Sequence, residues 1–175
     1  AAPAPAEDVA ETSEQVFSAA RDAFKSGDYG HALSLIDQVL KKTPDVPVIH
    51  EFRALCLFAL KQYDQAAGVL YAVLSAGPGW DWTTLIGLYP DVDVYTAQLR
   101  ALEAYRSANP DSTAARFVLA YHYLTAGFED AAVREFNKVV ELQPNDALSK
   151  QIVASLTGAA SAAQPADATQ AQPAA

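Results

Sequence analysis

The chain of 175 residues is long enough for one domain with its own core, and 51% of it is apolar. Its net charge is −9; Glu7, Asp8, Glu11 and Asp167 lie near the two ends, and the region between keeps about −5. This balance excludes a duplex nucleic-acid binder, which needs a basic stripe against phosphates, and argues against an anionic membrane surface.

The single cysteine, Cys56, lies in the apolar run LCLFAL. One cysteine excludes an internal disulfide and a cysteine-based zinc site, and this one reads as a small core residue. No apolar run approaches the roughly 18 residues of a membrane span, so no membrane insertion is expected. The N-terminus has no basic start followed by an apolar stretch, so no signal peptide is visible, although a trimmed chain would read the same.

Residues 1–12 alternate Ala and Pro before Glu7, Asp8 and Glu11. They read as a flexible linker and helix lead-in, with the first helix expected to start near Asp8 or Thr12. Over 13–46, Val16, Phe17, Ala20, Ala23 and Phe24 recur at helical spacing. Gly27 marks a turn, and Ala32, Leu33, Ile36, Val39 and Leu40 form a second helical face that Pro44 ends. Over 47–78, Tyr63 and Ala66 repeat Tyr29 and Ala32 at a spacing of 34, but the turn Lys61-Gln62 has no glycine.

The third unit, 79–110, is irregular. Trp82, Leu85 and Tyr89 have helical spacing, and Pro90 closes that helix early. Residues 91–94 read as a longer connection. Tyr95 to Ala108 reads as the second helix, with Tyr95, Leu99, Leu102 and Tyr105 facing inward. Over 111–146, Asp111 or Ser112 caps a helix carrying Leu119, Ala120 and Tyr123; Gly127 turns the chain; Ala132, Phe136, Val139 and Val140 follow, and Pro144 stops the helix. A last helix, 147–157, is expected to cap the array, with Ile152, Val153 and Leu156 inward, Lys150 and Gln151 toward water, and an end at Gly158. Residues 158–175 hold no large apolar side chain and read as a disordered Ala/Pro/Gln tail.

The prolines at 44, 78, 110 and 144 are spaced 34, 32 and 34, and residues 27–32 read G-D-Y-x-x-A. This coupled pattern resembles the tetratricopeptide repeat (TPR) family, whose unit is a helix-turn-helix of 34 residues, from about residue 13 to residue 157. The resemblance implies an all-α, right-handed superhelical solenoid of four repeats, the third distorted, closed by a C-terminal capping helix. Arg53 stands where the family usually has a leucine, so it is expected at the edge of the packing. The run from Gly77 to Tyr105 is similar to a group of bacterial TPR proteins with this irregular third repeat, in which the domain often follows an exported region, so a cell-envelope location is slightly favoured.

The resemblance further implies a non-enzymatic module that holds a peptide or protein segment in a concave groove lined by the first helices. Carried over by position, the groove residues are Phe17, Arg21, Phe24 and Lys25; then Val48, Glu51, Leu55 and Phe58; then Trp80, Thr83 and Gly87; then Phe117, Tyr121 and Thr125. Each aromatic among them is either an anchor for the partner or core between repeats. Trp82 reads as core and Trp80 as a groove contact, or as packed under the 90–94 connection. The Lys and Asn pattern of the chaperone-binding carboxylate clamp is missing. The alternative to ligand capture is a scaffold acting through homo-oligomerisation of convex faces or open ends.

Catalytic, cofactor and metal sites find no support. His31, His50 and His122 sit in different repeats without metal-ligand spacing and read as surface or partly buried side chains. Asp91 and Asp93 could open a calcium loop, but Tyr95 and Thr96 stand where a ligand and a glycine are needed. No nucleophile elbow or phosphate-binding loop appears.

Overall fold

Short polar side chains open helices along this chain by accepting from backbone N–H groups that have no partner inside the helix. Asp28 accepts from His31, Ser112 from Ala115 and Asp146 from Ser149, at 3.2, 3.1 and 2.9 Å. The computed structural model describes the backbone of residues 6–163 and the side chains of residues 12–158. Of the linker expected at 1–12 and the tail expected at 158–175, residues 1–5 and 164–175 lie outside the described residues, and the remainder is helical.

The helices are α1 (Ala6–Lys25), α2 (Tyr29–Lys42), α3 (Pro47–Ala59), α4 (Tyr63–Ala76), α5 (Trp82–Ile86), α6 (Val92–Ala108), α7 (Thr113–Thr125), α8 (Glu129–Leu142) and α9 (Ala147–Ala163). Helix α1 begins before Asp8, and α9 runs on through Gly158 to Ala163. Residues 92–94 are not an open connection. Asp91 accepts from Asp93 and Val94 at 2.8 and 3.1 Å and so starts α6 one turn before Tyr95.

The chain is an all-α solenoid of helix-turn-helix pairs closed by α9. The turn residues and the small residues explain the pairs. Gly27 and Gly127 sit at φ +86° and +87°, where a side chain is strained. Lys61 takes the same left-handed turn at φ +61° without being glycine. Ala32, Ala66 and Ala132 are fully buried, which lets the two helices of each pair close on one another. Arg53 lies at the edge of the α2–α3 contact, with its Nε 2.8 Å from Asp37 Oδ1.

Successive pairs do not follow in a simple row. Helix α2 packs on α3, and α8 packs on α9, each across a short connection. Helix α4 packs directly on α7, so the 79–110 segment is not interposed between the second and fourth units. Tyr71 of α4 meets Phe117 of α7 with ring centres 5.8 Å apart. Further along, Leu74–Ala76 and Tyr121–Thr125 border one recess, so α4 and α7 run in the same direction.

Helices α5 and α6 lie instead across the first helices of the pairs. The Tyr89 ring meets Phe24 of α1 edge-on at 4.9 Å. The Tyr95 ring meets Phe58 of α3 at 6.2 Å, and its hydroxyl is 2.9 Å from His122 Nδ1 of α7. Leu85, Leu99 and Leu102 complete that buried layer. The far end of α6 is tied by charge: Tyr123 donates to Glu103 at 2.6 Å, and Glu135 of α8 accepts from Arg106 and, at 2.9 Å, from Arg116. Tyr105, expected inward, is 39% exposed and leans on Tyr63.

Candidate functional site

The expected groove residues separate into three groups. Phe24, Glu51, Leu55, Phe58, Phe117 and Tyr121 are buried. Phe17, Trp80 and Thr125 are half-buried, and Arg21, Lys25 and Thr83 are exposed, as are Val48 and Gly87. Phe24 and Phe58 are covered by Tyr89 and Tyr95, so they form core with the α5–α6 segment and cannot anchor a partner in an open groove. Leu55 is part of the same buried core. Phe117 packs between Tyr71 and Phe136, the latter edge-on at 5.7 Å. Phe17 is edge-on to Phe52 at 5.5 Å, with the Arg21 guanidinium 4.8 Å above its ring.

Trp80, Tyr121 and Thr125 are brought together. They border a recess of roughly 690 Å³ between the Gly77–Trp82 loop, the ends of α4 and α7, and α9. Leu124, Leu148, Ile152 and Leu156 make much of its apolar wall. Trp82 also borders it while meeting Tyr95 edge-on at 5.2 Å, so neither tryptophan is wholly core. The contribution of α9 was not readable from sequence, because its apolar spacing says only that one face is covered.

Glu51 holds the loop wall in place. It is 3% exposed, and its Oε1 accepts from the Trp80 backbone N–H at 2.7 Å and from the Tyr121 hydroxyl. Burial raises its pKa, against the lowering effect of those hydrogen bonds. Gly79 lies so close that an added Cβ would stand 3.0 Å from Glu51 Oε1 and 3.1 Å from the Tyr121 ring. Glycine is therefore needed for its lack of a side chain. The sequence alone places Glu51 in a groove; its partners lie 29 and 70 positions away, which no local signal reveals.

The other perturbed groups are also engaged inside the fold. His122 is wholly buried, not a surface or partly buried histidine, and burial lowers its pKa to about 3, which keeps it neutral. Its ring stacks on Phe58 at 4.0 Å. Burial pushes the Cys56 thiol up to about 12, so it is an inert core group. Among the described residues, no group of three or more His, Cys, Asp or Glu is placed to hold a metal ion, and no helix is long and apolar enough to cross a membrane.

The paired helices and their capped end define a helical repeat solenoid. The sequence profile of the tetratricopeptide repeat matches residues 17–79 and 97–147, and the chain belongs to that family. The family is a protein-interaction fold, generally without catalytic activity. The unmatched residues between those two stretches hold α5 and the start of α6. Among curated proteins, none matches the chain.

Solved structures similar to it include the first TPR of Spaghetti (RPAP3) bound to an HSP90 peptide. It has 16% identity, covers 86% of this chain and 94% of the other, and has a TM-score of 0.37. MamA from Desulfovibrio magneticus RS-1 has 18% identity, covers 85% of each chain and has a TM-score of 0.37. The Sgt2 TPR domain from Aspergillus fumigatus has 19% identity, covers 99% of this chain and 93% of its own, and has a TM-score of 0.36.

Proposed function

We propose that the protein is a non-enzymatic interaction module that holds a segment of a partner protein in the recess bordered by Trp80, Tyr121, Thr125 and α9. One observation carries this reading. The face of the first helices is filled by the chain's own Tyr89 and Tyr95, while the recess beside it stays open and largely apolar. Recesses of this size, apolar with a few polar groups at the rim, are where proteins take ligand side chains. A rigid wall favours binding because little order is lost on association, and Glu51 fixes this wall from behind.

Site-specific photo-crosslinking tests the reading. A benzophenone side chain replaces Gln151, on the recess rim, or His31, exposed on α2. Adducts to a second protein at position 151 and none at 31 support capture in the recess. Equal yields at both positions would overturn it. Adducts of the chain to itself, matched by a dimer mass in light scattering, would favour the scaffold role instead.

A further inference from the structure

The side-chain charge lining the recess is one-sided. Among the described residues, Asp81 is the only charged one that lines it, and no Lys, Arg or His stands in its wall. Lys150 of α9 is exposed and lies outside that wall. The C-terminal ends of α4 and α7 both reach it, through Leu74–Gly77 and Leu124–Thr125. A helix C-terminus carries partial negative charge that a basic side chain in the last turn normally offsets. Helix α4 has no basic residue there, and the only one on α7 is the buried, neutral His122. Trp80 is half-buried, borders the recess and pairs with no other ring among the described residues, which leaves it the aromatic side chain of the loop wall nearest Asp81.

We propose that the recess takes a basic, aliphatic segment of a partner protein. Its Lys or Arg head sits against the Trp80 face and the Asp81 carboxylate, and its apolar neighbours sit on Leu124, Ile152 and Leu156. The inference rests on the interaction-module reading and names the chemistry of the partner. An indole face attracts a cation through its quadrupole, and Asp81 adds a full charge at the lip. Hydrogen bonding from the Thr84 backbone lowers the pKa of Asp81 and keeps it ionised at neutral pH. The aliphatic wall gives the remaining contact area, and a flexible basic stem can bury its methylenes there while its head stays near water.

The test is selection from a random peptide library displayed on phage against the immobilised full chain. Three variants serve as controls: Ser155→Trp on α9 and Ser75→Trp on α4 fill the recess from different helices at exposed positions, and Asp81→Asn removes the charge while keeping a residue that caps α5. Selected peptides should pair Lys or Arg with Leu or Ile. Their affinity should fall about tenfold or more in both filling variants, and about two- to fivefold in Asp81→Asn, with a loss as salt rises.

Acidic or uncharged peptides that are lost in the filling variants would overturn the charge assignment and leave the recess as the site. Basic peptides indifferent to Asp81→Asn and to salt would overturn it too. No selection, or peptides indifferent to both filling variants, would overturn the charge assignment and the recess together.

Discussion

Helices α1–α4 and the segment α5–α6 belong to one core but are held by different contacts. In α1–α4, alanines at fixed spacing let neighbouring helices close on each other, and each helix packs on the one before it. In the α5–α6 segment, Tyr89 of the connection and Tyr95 of α6 reach across to α1, α3 and α7, far away in the chain. The first kind of packing is local and repeats. The second depends on a surface that exists only once the pairs have formed. A repeat fold can thus close its own inner face with side chains from an irregular segment.

The largest effect should come from breaking the long-range contact. Tyr95→Ala removes a buried ring and leaves His122 Nδ1 without its partner, and should cost ~3–5 kcal/mol in urea unfolding. Amide exchange should quicken in 92–108 before it does in 29–42. Equal quickening in both would show that the segment and the pairs are one unit. Next come the alanines of the pairs. Ala32→Leu and Ala132→Leu should each cost ~1–3 kcal/mol through overpacking, whereas Ala97→Leu on the exposed side of α6 should stay within ~0.5 kcal/mol. An unchanged urea midpoint for Ala132→Leu would remove the basis for the close helix pair.

A smaller gain is expected at the second turn. Lys61→Gly relieves the left-handed strain at φ +61° and should stabilise by ~1 kcal/mol. A loss there would mean that the Lys61 side chain contributes more than its backbone costs.

The finest test concerns Glu51. Its folded pKa lies above the ordinary 4.5, so the unfolded chain releases that proton first. The stability linked to the protonated carboxyl is present below 4.5 and is lost as pH rises through the folded value. Glu51→Gln should therefore lose less stability than the wild type as pH climbs from about 4.5 toward neutrality, read as the difference between their urea midpoints. Parallel pH profiles would show that Glu51 is not destabilised by burial.

The pairs were legible in the sequence because each is specified within one repeat. Gly27 and Gly127 announce a left-handed turn, and Ala32, Ala66 and Ala132 announce close approach at a fixed register. The seam was not legible. Tyr89, Tyr95, Phe24 and Phe58 all read as apolar faces, but helical spacing does not say which face covers which. The four meet in one layer, and that contact removed two of the expected groove anchors. At the site, Trp80 with Tyr121 and Thr125 could be anticipated from the break at Gly77-Pro78-Gly79 facing the last regular repeat. The wall supplied by α9 and the Glu51 support depend on tertiary contacts.

The placement of the tryptophans has an optical consequence. The chain has two, and both border the recess, while the repeated pairs carry only tyrosine and phenylalanine rings. Light absorbed at the red edge of the indole band is therefore emitted from this one locality. With Tyr95 edge-on to Trp82 at 5.2 Å, tyrosine excitation in the α5–α6 layer can also drain into the same emitters. The unlabelled protein thus carries its own reporter at the one place where a visitor is expected, and its helical pairs stay dark.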